Sequence, residues 1–194
     1  MLHSALTVFD ISSNQHIINL CISIFLSLLV ILIGAAIDFI EQKEINLFSR
    51  LTNHKIAYFL CNYATFVGTI IHEYSHAMFG TLTGAKVTNI KCFEFSGGRL
   101  GHVEFIPTGN KLKQSIQLAA IGCAPVVMGL IIDDILIKCF LCSTTTAAKI
   151  ILGYLILSVF NHMSMSKSDI KNYTKGLWVI LPILFLLITI IQII

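Results

Sequence analysis

Gly68-Thr69-Ile70-Ile71-His72-Glu73-Tyr74-Ser75-His76-Ala77 lies inside an apolar stretch that runs from Ile56 to Phe79. Two histidines and a carboxylate within five residues are costly in lipid unless they pair with one another, with water or with a metal. On a helix, residues four apart are turned by about 400°, so His72 and His76 share a face, and two imidazole nitrogens there can reach one Zn²⁺ at about 2.0–2.1 Å. Glu73, next to the first histidine, is placed to take a proton from water at the metal. The bland alternative is a pair of histidines satisfied by neighbouring helices, and the metal is the stronger reading.

The solvent around this stretch follows from composition. Of 194 residues, 56 % are hydrophobic and 12 % charged, where soluble proteins carry roughly 25 % charged residues. Mean hydropathy is +0.84. So few charges cannot cover a soluble globule of this size, and the remaining solvent is lipid. A net charge of +3 is too small to imply nucleic acid or another polyanion as partner. Cys21, Cys61 and Cys123 sit in apolar runs and act as small hydrophobes. Cys139 and Cys142 form one C-x-x-C without the second pair that a zinc knuckle needs.

Five apolar stretches approach the about 17–25 residues that cross a bilayer. They are Ile17–Phe39, Ile56–Phe79, Ser115–Ile137, Ala147–Met163 and Leu177–Ile194. The first lacks a basic n-region and an A-x-A-like site, so a membrane span is expected there rather than a cleavable signal. Lys86–Pro107 is half polar, rich in Val, Phe and Ile, and broken by Ser96-Gly97-Gly98, which predicts a β-hairpin. The expected architecture is an all-α polytopic membrane protein of about five transmembrane helices. It forms a single membrane-embedded domain over residues 1–194, with a small β-hairpin inserted after the H-E-x-x-H helix. Lys86, Lys91, Arg99, Lys111 and Lys113 fall on one side together with Lys167, Lys171 and Lys175. That slight excess over Lys43, Arg50, Lys55, Lys138 and Lys149 places the N-terminus in the cytoplasm.

A catalytic zinc needs a third protein ligand and an open position for water. At about 1.5 Å per helical residue, Asp169 comes to the depth of the histidines if the fourth stretch continues as helix past Met163. The same reckoning carries Asp133 and Asp134 to the opposite face, as interfacial residues beside Lys138. Asn161 and His162 stand one to two turns from Asp169. His162 is open to three readings: a ligand, a group supporting a ligand, or a polar residue lining a wet cavity. Glu94, His102 and Glu104 read as residues of a solvated hairpin.

These residues resemble the site-2 protease family, zinc metalloproteases whose active site lies within the membrane. The likeness is carried by Gly68–Ala77, by the step Gly84-Ala85-Lys86-Val87 into the hairpin, and by Asn161 standing eight residues before Asp169. Gly122-Cys123-Ala124-Pro125 echoes the family's glycine–proline step. No proline stands between Asn161 and Asp169, Ile170 replaces the usual glycine, and Met128 stands where an asparagine often follows the proline, as in a divergent or minimal member. The resemblance covers Ile56–Gly176, a peptidase core of about 56–176 with residues 17–39 and 177–194 as extra spans.

The resemblance implies one Zn²⁺ held by His72, His76 and Asp169, with Glu73 as base and Asn161 touching the substrate or its oxyanion. It implies an integral multi-pass protein of a prokaryotic cell membrane, with the site toward the cytoplasm. Its substrates would be transmembrane or membrane-proximal proteins. Because a helix hides its carbonyls in i→i−4 bonds, such a substrate must unwind locally. The hairpin could hold the unwound strand by β-augmentation, or it could plug the cavity. Two other classes compete. A metal transporter or sensor would need ligands spread along a path across the membrane. A catalytically silent family member would bind membrane partners without cutting them, and the intact Glu73 stands against that.

Overall fold

The structure, a computed structural model, describes residues 2–92 and 100–193, with side chains over 14–92 and 100–192. The expected turn Ser96-Gly97-Gly98 and Glu94 lie outside the described residues. The order is α1 (Leu2–Leu51), α2 (His54–Tyr58), a π-helical turn (Phe59–Tyr63), α3 (Phe66–Leu82), β1 (Lys86–Lys91), β2 (His102–Ile106), α4 (Lys111–Cys142), α5 (Thr146–His162) and α6 (Lys167–Ile193). The fold is helical with one small sheet. Asn14–Leu51 in α1, α4, and Lys167–Gln192 in α6 are long and apolar enough to cross a membrane, and α5 is a shorter apolar helix of 17 residues.

The distribution of side chains suits lipid as the solvent. Large apolar residues such as Phe25, Leu32, Ile150 and Ile191 face outward. Asn19, Ser23, Ser27, Gln117 and Ser158 are almost fully enclosed between helices. Polar groups that find one another in the helix contacts act as glue where apolar surface has no reason to hide. Asn19 donates to Thr189 at 3.1 Å, Gln15 donates to Gln192 at 3.0 Å, and the Tyr173 hydroxyl donates to the Ser27 carbonyl at 3.1 Å.

Three expectations change. The stretch Ile56–Phe79 is not one helix. Asn53 caps α2 by accepting from Ile56 N at 2.9 Å, and the chain then passes through the π turn, whose Ala64 N–H reaches back to Phe59. Thr65 donates to the Cys61 carbonyl and α3 starts afresh at Phe66. Second, α1 runs past the expected end at Phe39 to Leu51, so Glu41 and Glu44 lie on the same helix as Asp38. No glycine or proline interrupts Ala35–Leu51.

The third change concerns direction. Pairs along α1 and α6 show that these helices are antiparallel, with Gln15 and Gln192 at one end. α4 meets α6 through Ser115 with Trp178 and through Gly122 with Asp169, and it meets α5 through Phe140 with Lys149 and, just past the end of α5, through Gly129 with Met163. Both α5 and α6 therefore run opposite to α4 and in the same sense as each other. The two stretches expected as separate alternating spans follow one another, broken only over Met163–Ser166. Lys167, Lys171 and Lys175, which the charge count sets on one side of the membrane, lie in α6. Asp133 also departs from expectation: it is buried, and its Oδ1 has no hydrogen-bond partner, whereas Asp134 pairs with Lys138 at the surface at 2.6 Å.

The hairpin is positioned by a helix end. Gly84 takes φ +80°, which glycine adopts without strain. The Gly84 N–H donates to Thr81 O at 3.0 Å and the Ala85 N–H to Gly80 O at 2.8 Å, a Schellman closure that turns the chain into β1. β1 and β2 pair antiparallel from Lys86↔Ile106 to Lys91↔His102, with an irregularity between Val87 and Asn89. The wholly buried Gln117 of α4 ties the exit strand down. Its oxygen accepts from Thr108 N at 2.8 Å and its amide donates to Thr83 O at 3.2 Å.

Candidate metal centre

α3 places His72 and His76 one turn apart, with ring centroids 4.8 Å from each other. The Nδ1–H of His72 donates to the His162 carbonyl at 2.6 Å, and that of His76 donates to the Ile121 carbonyl at 2.8 Å. A carbonyl only accepts, so both Nδ1 atoms carry the proton, and a neutral imidazole then leaves Nε2 as a bare acceptor. The two Nε2 atoms face each other at 3.1 Å. Neither can donate to the other. Two converging lone pairs are a disposition that a cation satisfies, and backbone carbonyls on the far nitrogens are the usual outer partners of metal-bound histidines.

The helix ladders leave both carbonyls free to play this part. His162 is the last residue of α5, where C=O groups have no intrahelical partner. Ile121 stands four residues before Pro125, which lacks the N–H that would have claimed its carbonyl. Gly122 is the other half of that step. A Cβ there would come within 2.6 Å of the Asp169 carbonyl oxygen and 2.7 Å of the Tyr173 amide, so only glycine lets α6 approach α4 this closely. Replacing Pro125 by alanine restores an N–H that competes for Ile121 O. Metal affinity is expected to fall about 10–100-fold, as when an outer partner of a histidine is lost, with no loss of thermal stability in the metal-free protein. Isothermal titration beside thermal melting of the two proteins checks this.

Asp169 arrives by a different device. Ser166 and Asp169 form a capping box at the start of α6: Ser166 N donates to Asp169 Oδ2 at 2.9 Å, and Asp169 N donates to Ser166 Oγ at 3.2 Å. One carboxylate oxygen is thereby engaged, and the other lies 3.5 Å from His76 Nε2. His72, His76 and Asp169 offer ligand atoms within 4.8 Å of one another, and this group could hold a metal ion. Its donors, two imidazoles and a carboxylate, are the types that zinc accepts.

The trio opens into a cavity of about 650 Å³ that Glu73, His102 and His162 also line. Glu73 is 8 % exposed, and the backbone entering β2 lies directly over it: a Cβ at Gly101 would meet Glu73 Cγ at 2.7 Å. His102 turns toward the cavity, whereas the Glu104 side chain is mostly solvent-facing. The His162 ring lies 2.9 Å from the Thr65 hydroxyl through Nε2, and its Nδ1 is 3.5 Å from Thr69 Oγ1. Its carbonyl, not its ring, is what meets His72. Asn161 is buried, donates to Glu44 at 3.0 Å, and keeps an amide oxygen without a partner.

Sequence reading missed the parts played by Pro125, Ser166 and α1. Each had a signal. A proline four residues after any helical residue frees that residue's carbonyl, and Ser166-Lys167-Ser168-Asp169 has the spacing of a helix start. The unbroken helical stretch from Ala35 to Leu51 brings Glu41 into the cavity wall. The chain matches no family model, no curated protein and no solved structure.

Proposed function

We propose that the chain is an intramembrane zinc metalloprotease that hydrolyses peptide bonds of transmembrane or membrane-proximal proteins. The observation that carries this reading is the pair of facing Nε2 lone pairs beside an Asp169 oxygen, in one cavity with a buried carboxylate that is not part of the trio. His72, His76 and Asp169 would hold one Zn²⁺, which when bound supplies Lewis acidity toward a carbonyl and lowers the pKa of water toward about 7. Glu73 takes a proton from the attacking water and returns it to the leaving nitrogen as the C–N bond breaks. Asn161 is the group proposed to meet the substrate or its oxyanion, in exchange for its bond to Glu44. An unwound substrate strand would lie along the hairpin, whose β2 residues form the cavity wall over Glu73.

In the membrane, α1, the α2–α3 segment, α4 and the interrupted α5–α6 pass would each cross, leaving both ends of the bundle on one side. The basic residues Lys86, Lys91, Lys111 and Lys113 around the hairpin favour the cytoplasm for that end of the site. A transporter would need further ligand groups along a path. Among the described residues, His72, His76 and Asp169 are the single such group of three. The test is cleavage of a single-span substrate by the protein purified in detergent. Activity is expected to vanish on chelation and return with Zn²⁺, and cleavage indifferent to both would overturn the proposal.

A further inference from the structure

We propose that Glu41 and Asn62 form a recognition site for a cationic group of the substrate, an ammonium or a guanidinium. The inference rests on the proteolytic reading in so far as its ligand is a substrate. Three acids follow one another along α1, and the structure gives them different surroundings. Asp38 is exposed, Glu44 receives the Asn161 amide, and Glu41 lines the cavity that holds His72, His76 and Asp169. Among the described residues Glu41 makes no hydrogen bond and no ion pair. Lys43 rests over the Phe39 ring at 5.1 Å, and Lys167, which reaches the same cavity from α6, forms no ion pair with Glu41. A carboxylate on a membrane-crossing helix is costly without a partner, which makes an unpaired one in a cavity wall a binding group by default.

Asn62 gives the second observation. It belongs to the π turn, a backbone form frequent at functional sites, and it lines the same cavity. It is only 5 % exposed, and one N–H of its amide donates to the Tyr58 carbonyl at 3.3 Å. Among the described residues no donor reaches its amide oxygen. Glu41 and Asn62 therefore present three open acceptors to the cavity: two carboxylate oxygens and one amide oxygen. The carboxylate charge selects, among donor groups, cations that carry no acceptor: the lysine ammonium, the arginine guanidinium and the free α-ammonium of a peptide. The same chemistry can thus come from a basic side chain near the scissile bond or from a chain's amino terminus.

Binding rather than cleavage tests this, on the full chain carrying Glu73→Gln, in detergent with one equivalent of Zn²⁺. Fluorescence anisotropy would compare a labelled, N-acetylated apolar peptide containing one lysine with its norleucine counterpart. It would also compare a lysine-free peptide with its acetylated form. The cationic member of one pair is expected to bind on the order of tenfold tighter, between the values for exposed and buried charge pairs. The lysine pair doing so assigns a side-chain site, and the amine pair doing so assigns an amino-terminal one. Adding Glu41→Gln is expected to bring the ratio to about one, and Glu41→Lys to favour a glutamate-containing peptide instead, a reversal that misfolding cannot produce. Ratios near one with Glu41 intact, a ratio that survives Glu41→Gln, or no binding of any peptide would overturn the proposal. Because cleavage is not read, failure of the proteolytic reading shows separately, as intact Glu73 protein that cuts nothing.

Discussion

Glu73→Gln is expected to lower hydrolysis of a single-span substrate by about 10²–10⁴-fold, the contribution of a positioned proton-transfer group, while the protein keeps its metal. The substitution is nearly isosteric, which matters at this position. Glu73 is enclosed by α3 and by the backbone at Gly101, just before β2, so a larger or smaller residue would also disturb the hairpin. Glutamine preserves that contact and removes the one property the reaction needs, an oxygen able to accept and return a proton. Glu73 is not among the three residues whose ligand atoms converge, so the metal content should stay at that of the wild type. Product formation followed on a gel, beside elemental analysis for zinc, separates the two effects. Cleavage unaffected by the substitution would remove the proteolytic reading. Loss of zinc together with activity would instead place Glu73 in the support of the metal.

The site was more legible in the sequence than the path of the chain around it. His72 and His76 share a face because four residues of helix bring them there, whatever surrounds the helix. Asp169 was reached by counting depth along a helix assumed continuous. The helix in fact stops at His162 and restarts at Lys167. The reckoning survived because α6 keeps the direction of α5. Hydropathy alone could not see that break, since Met163–Ser166 is too short to lower a window average. Nor could it see that α1 stays helical past Phe39 through Glu41 and Glu44, where charge ends the apolar stretch and only the absence of a breaker reads as helix. The orienting carbonyls of Ile121 and His162 are further from reach. They are backbone atoms, and their availability depends on Pro125 and on where α5 ends. Pro125 stands in the sequence, but which histidine its freed carbonyl meets depends on packing between helices.

Asp169→Asn is expected to abolish binding of one equivalent of zinc under conditions where the wild type is saturated. Its effect should exceed the about 10–100-fold weakening that follows loss of an outer partner. The choice of asparagine follows from the two tasks of this side chain. One oxygen closes the capping box with Ser166 N, and the other lies toward His76 Nε2. Asparagine can keep its oxygen on Ser166 N and so preserve the start of α6, but the atom it then turns to the histidines is an NH₂ donor, which pairs with a lone pair and takes no metal. Asp169→Ala loses both tasks and should also cost about 1 kcal/mol through the lost bond from Ser166 N. The diagnostic result is therefore an asparagine variant that melts like the metal-free wild type yet carries no zinc in equilibrium dialysis. Retention of a full equivalent would take Asp169 out of the ligand set. The third position would then fall to His162, whose ring would have to leave Thr65 and Thr69 to reach the metal, and Thr65→Val should in that case strengthen binding rather than leave it unchanged.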